Sequence, residues 1–226
     1  MTDELNLGAV YREHREGLSH FVASLTEAEL ATKLVACPDW TAWEVIAHVA
    51  GIPLDVAAGR LEGVGSDAWT QAQIDIHNGM SVAEIVAEWA ESGTQLEEFA
   101  VAAPELGLAL ISDLVTHDFD ARNGLGNTEF RDTPGAGVAY NNYANRLGQR
   151  LVERGESVRL VADGEEQIVG AGAVVASVTA SRFELTRALT GRRSAEQIAA
   201  YAWDGDSASV VSIFSSYPMR SSALVE

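Results

Sequence analysis

Asp113 and His117 stand four residues apart in the stretch "DLVTHDFDARNGLG". On a helix that spacing puts both on one face, one turn apart. A carboxylate and an imidazole projecting together supply two ligands to a divalent ion. A third has to come from elsewhere, and His48, between Ala47 and Val49 in another apolar segment, is the leading candidate. Two imidazoles and one carboxylate with open positions left over would suit a Lewis-acid catalyst. Taken alone, each part has a plainer reading. An Asp–His pair at this spacing reads first as a half-buried hydrogen-bonded pair, and a lone His48 as a satisfied core histidine. In the same stretch Asp120 should lie beside Asp113 and His117, and Asp118 should point away into solvent. His14, His20 and His77 read as surface or half-buried groups. Cys37, just before a helix start, could have a lowered thiol pKa, although a lone cysteine is more often a small packed hydrophobe.

These residues need helices to hold them. Leu7, Val10, Tyr11, His14, Leu18, Phe21, Val22 and Leu25 recur at helical spacing and predict a first helix from about residue 4 to 23. Thr26 with Glu29, Thr41 with Glu44, and Ser81 with Glu84 each have the spacing of a capping box. They predict a short turn after Thr26, a helix from Ala42 carrying His48, and a helix from Val82 to about residue 102. Gly51 and Pro53 should bend or interrupt the second of these. The segment from Gly63 to Gly79 lacks a clear period and reads as a long connection. Pro104 suits the first turn of the helix that carries Asp113 and His117. A further helix is expected over about 137–154, closed by Gly155.

After Gly155 the character changes. "SVRLVADGEEQIVG" predicts two short strands around an Asp163-Gly164 turn, and "AVVASVTA" a further strand. "SRFELTRAL" and "SAEQIAAYAW" read as helical, the second opened by Ser194 and Gln197. The fold class is therefore α+β, with a helical bundle over 1–155 followed by a small α+β domain over 156–226.

Composition narrows the partners. The chain has 33 acidic and 15 basic residues, a formal charge of −18. Such a surface repels phosphate backbones, which argues against nucleic acid as a partner. No apolar run is long enough to cross a membrane, and the acidic, amphipathic N-terminal stretch does not read as a signal peptide. One cysteine leaves no internal disulfide framework, and a reducing cytoplasm is the simplest location.

Three stretches carry a family resemblance. "CPDWTAWEVIAHVAG" resembles the CPxW…HxAG signature of mycothiol-dependent maleylpyruvate isomerase relatives, which share the DinB-like helical fold. "DLVTHDFDARNGLG" is similar to that family's acid-xxx-His stretch, and "ALTGRRS" to the LxGR motif of its small C-terminal, sterol-carrier-like domain. The matches keep the family's order and span residues 5–206. The resemblance implies a divalent metal, usually zinc, held by His48, Asp113 and His117. The isomerase itself has glutamate where this chain has the shorter Asp113.

By the same resemblance Asp120 matches an acid beside the metal, a general base or a holder of the thiol's polar groups. Arg192 matches an arginine that reaches the site and pairs with a substrate carboxylate. The implied chemistry uses a low-molecular-weight thiol, mycothiol, as nucleophile on a small electrophilic substrate, in an S-transferase or a cis-trans isomerase. A non-catalytic metal- or ligand-binding module and a metal-dependent hydrolase are the alternatives.

Overall fold

The computed structural model describes residues 5–226. It falls into two compact units, one ending at Glu129 and the other starting at Phe130.

The first unit is built from helices α1 (Leu7–Ala23), α2 (Glu27–Leu30), α3 (Ala42–Ala58), α4 (Asp67–Ile76), α5 (Val82–Ala102) and α6 (Pro104–Gly124). A small antiparallel ribbon, β1 (Lys33–Leu34) and β2 (Cys37–Thr41), precedes α3. Helices α1, α3, α5 and α6 pack into a bundle, with α4 laid against α3. The local signals act as expected. All three capping boxes form, each with the Ser or Thr side chain accepting from the backbone N–H three residues on and the glutamate reaching back. Pro104 sits in the first turn of α6, where its missing N–H costs nothing. The first helix begins at Leu7, and Glu4 lies outside the described residues.

One expectation about the middle of this unit is narrowed and another corrected. Helix α3 runs through Gly51 and Pro53 without interruption. The segment from Gly63 to Gly79 is not a plain connection but contains α4, capped by Ser66. Its buried residues are Thr70, Gln73 and Ile74, so most of its inward face is polar and shows no apolar period.

In the second unit α7 (Pro134–Val152) is followed by β3 (Glu156–Ala162), β4 (Glu165–Gly170) and β5 (Ala173–Ala180). Next come α8 (Arg182–Leu189), α9 (Ala195–Ala199), β6 (Ala202–Gly205) and α10 (Ser207–Val211). The sheet order is β4-β3-β5-β6, with β3 and β5 parallel and the other neighbours antiparallel. The β3–β4 turn is at Asp163-Gly164, both at positive φ (51° and 88°), as a two-residue hairpin requires. Ser194 and Gln197 form the capping box of α9, but that helix stops at Ala199 and Ala202-Trp203 continue as strand β6.

Helical periodicity alone groups α7 with the helices before it. In the structure its apolar face, including Tyr143, Ala144, Leu147 and Leu151, is buried, and α7 packs on β4, β3 and α8. A helical stripe does not specify whether a sheet or other helices will cover it. Among the described residues no helix is long and apolar enough to cross a membrane.

Candidate metal centre

Helix α3 is apolar nearly all round, and its inward positions carry His48 into the bundle at 3% exposure. Helix α6 packs against α3 and brings Asp113 and His117 from consecutive turns. One ligand atom from each of these three residues lies within 4.8 Å of the other two. His48 Nε2 is 3.4 Å from Asp113 Oδ2, and His117 Nε2 is 3.7 Å from Asp113 Oδ1. Both separations exceed a normal N–H···O bond. They do match two ligands on one ion, since bonds of about 2.1 Å at the tetrahedral angle put ligand atoms about 3.4 Å apart. The donor set is two imidazole nitrogens and a carboxylate, which suits zinc and similar divalent ions. The Asp113 side chain is 37% exposed while both rings are nearly closed off, so the cluster opens to solvent on the Asp113 side.

Both histidines present Nε2 to the cluster and use Nδ1 for a partner behind the ring. His48 Nδ1 lies 2.6 Å from Gln73 Oε1, on α4. His117 Nδ1 lies 3.3 Å from Asp120 Oδ2. Outer partners of this kind hold a ligating ring in orientation and set its tautomer. Asp120 is therefore placed behind His117, at 0% exposure, and not on the open side where a substrate would approach. Trp40, at the end of β2, packs against both rings, with centroids 5.4 Å from His48 and 5.6 Å from His117. Trp69 of α4 meets His48 edge-on at 6.4 Å. The cluster thus has aromatic walls that exclude water from the rings.

The remaining polar residues of this stretch serve the fold. Asp118, expected in solvent, is fully buried. It sits 2.8 Å from His14 Nε2 and accepts from Arg122 Nε at 2.6 Å. Arg122 also donates to the Gly17 carbonyl and covers the Phe21 ring, so this network ties α6 to α1. His14 and His77, expected at or near the surface, are both buried. His77 bridges the Gln73 carbonyl and Glu88, joining the end of α4 to α5. Cys37 packs with Trp40 and Leu125 against Leu34, Ala42, Val45 and Ala121, the plainer of its two readings.

Arg192 belongs to the second unit and follows Gly191, whose φ of 77° ends α8. Its guanidinium donates to the Thr190 carbonyl at 2.8 Å. The adjacent Arg193 is buried and bonds both oxygens of Glu184. Gln73, Trp69 and Asp55 were not singled out by sequence. Asp55 and Gln73 are polar residues at buried positions, and no local motif marks them.

The fold and this cluster together define a class: a helical-bundle protein with a His, Asp, His cluster of the kind that can hold a divalent ion, joined to a small sheet-containing unit. Residues 11–121 match the family model described as the mycothiol maleylpyruvate isomerase N-terminal domain. Over those residues the chain is a member of that family. Among solved structures it is similar to the mycothiol-dependent maleylpyruvate isomerase, at 17% identity and a TM-score of 0.58, covering 82% of this chain and 88% of that one. A histidine-to-alanine mutant of the same enzyme matches with the same coverage and TM-score, at 16% identity. At this identity the likeness is one of fold. The comparison with curated proteins gave no match.

Proposed function

We propose that the protein is a divalent-metal-dependent enzyme that uses a low-molecular-weight thiol of the mycothiol type as nucleophile. It would act as an S-transferase or a cis-trans isomerase on a small electrophile. The observation that carries this reading is the convergence of His48, Asp113 and His117 on one point, open on one side, in a chain of this family.

His48 and His117 would hold the ion through Nε2, and Asp113 would both ligate it and offset its charge. When bound, a divalent ion, zinc by the donor set, supplies Lewis acidity that deprotonates a coordinated thiol whose free pKa is about 8.5. The protein's own residues do the rest. Trp40 and Trp69 keep water from the rings, which strengthens every charge interaction at the cluster. Asp120 faces His117 Nδ1 from behind the ring as a charge partner, a role its burial favours over direct work on substrate.

The test is elemental analysis of the purified chain, followed by thiol titration of its cobalt-substituted form. About one divalent ion per chain is expected, with a sulfur-to-cobalt absorption band that grows as thiol is added. A chain that carries no stoichiometric metal, and whose metal uptake is unchanged by His48→Ala, would sink the reading. Turnover of activated esters or amides without added thiol would move it to a metal-dependent hydrolase.

A further inference from the structure

Between α3 and α4 runs a hydrogen-bonded chain that ends on His48. Asp55 is buried and accepts from Arg60 Nε at 2.7 Å and from Gln73 Nε2 at 2.8 Å. Gln73, at 1% exposure, then presents Oε1 to His48 Nδ1 at 2.6 Å. The donors and acceptors in this chain can be ordered in only one way. A carboxylate only accepts, so the amide NH2 of Gln73 must face Asp55. Its carbonyl oxygen therefore faces His48, and Nδ1 must carry the ring proton. A neutral imidazole with its proton on Nδ1 is bare at Nε2. Nε2 is the atom directed at the Asp113 carboxylate. The other tautomer would set a bare Nδ1 against a carbonyl oxygen at 2.6 Å, two lone pairs with no proton between them.

The backbone is shaped to admit this chain. Gly51 lies one turn after His48 on α3, and a Cβ there would fall 2.7 Å from Gln73 Cβ. Only a residue without a side chain lets α4 approach closely enough for Gln73 to reach the ring.

We infer that Gln73, ordered by Asp55 and admitted by Gly51, is a positioning residue that locks His48 in the Nδ1–H tautomer and so presets Nε2 as a metal ligand. This inference rests on the metal-site reading above, but its central claim can be read without metal. In the zinc-free full-length chain at pH 8, long-range proton–nitrogen NMR correlations should show His48 protonated at Nδ1 and bare at Nε2. Gln73→Leu should lose that single tautomer and weaken zinc affinity by about 10- to 100-fold, measured by competition with a chromophoric chelator. Pairing Gln73→Glu with Asp55→Asn reverses the amide and the carboxylate but still offers His48 an acceptor. This double variant should restore the tautomer and most of the affinity.

An Nε2–H tautomer in the wild-type chain would overturn the inference, as would a folded Gln73→Leu that binds zinc as wild type does. Should Gln73→Leu fail to fold, the wild-type tautomer and the double variant still decide. A wild-type chain with the Nδ1–H tautomer but no zinc affinity would reject the metal reading and leave the relay standing.

Discussion

Asp113 and Asp118 lie five residues apart on one helix, and their substitution by alanine should have opposite consequences. Asp118 is at 0% exposure with both oxygens engaged, one by Arg122 at 2.6 Å and one by His14 at 2.8 Å. Arg122 is itself at 2% exposure. Asp118→Ala strands that guanidinium in the interior, and breaking a buried ion pair from one side costs about 3–5 kcal/mol. A cavity the size of a carboxylate adds to this. Asp113 has a side chain 37% exposed and faces the open cluster. Its removal relieves crowding of acceptors in the metal-free protein and should change stability by less than about 1 kcal/mol. Zinc affinity should behave the other way: largely kept in Asp118→Ala and lost in Asp113→Ala.

The assay is urea unfolding of the metal-free full-length chain, monitored by tryptophan fluorescence, with zinc competition at 25 °C. The pair Asp118→Leu and Arg122→Met supplies the control. Replacing both charges with apolar groups should recover much of the loss, because the main cost is the stranded charge and not the missing bond. A loss below about 1 kcal/mol in Asp118→Ala would refute the clamp between α1 and α6. So would a double variant as unstable as the single one.

Two further outcomes follow from the same structure. Zinc at a free concentration of 100 times its Kd should stabilise the chain by about 2.7 kcal/mol, seen as a rise in Tm that grows with zinc and vanishes in His117→Ala. In the second unit, burial pushes the Glu184 carboxyl up, but Arg193 and Tyr201 outweigh it and hold the group below its ordinary 4.5. The stability it contributes is then complete above that value and lost as the pH falls through the lowered folded-state value. The gap in unfolding midpoint between wild type and Glu184→Gln should be wide at pH 7 and close as the pH falls below the ordinary value and through the lowered one, and a gap independent of pH would count against the pairing.

Features set by near neighbours were legible from the sequence. Thr41 with Glu44 starts the helix of His48, and Ser81 with Glu84 starts α5, because a capping box joins residues three apart whatever the rest of the chain does. The four-residue spacing of Asp113 and His117 put two candidate ligands on one face, and the Asp163-Gly164 turn announced its hairpin. The family was legible too, through three ordered motifs, one of them running from Cys37 to Gly51.

Everything that depended on a distant partner was decided by the tertiary structure. Asp118 follows His117 by one residue and so turns about 100° away from it, a rotation that sequence alone reads as a turn toward water. In the bundle that direction is occupied by α1, with His14 waiting. Helix α4 escaped notice because its buried Thr70 and Gln73 are polar, and their burial makes sense only with Asp55, His48 and α3 beside them. The stripe of α7 showed that it would be covered, but a sheet and another helix offer the same apolar face to cover it. Hydrophobic pattern and capping specify an element and its wet and dry sides. Which group stands opposite a buried proton or charge is fixed only when two remote segments are brought within about 3 Å.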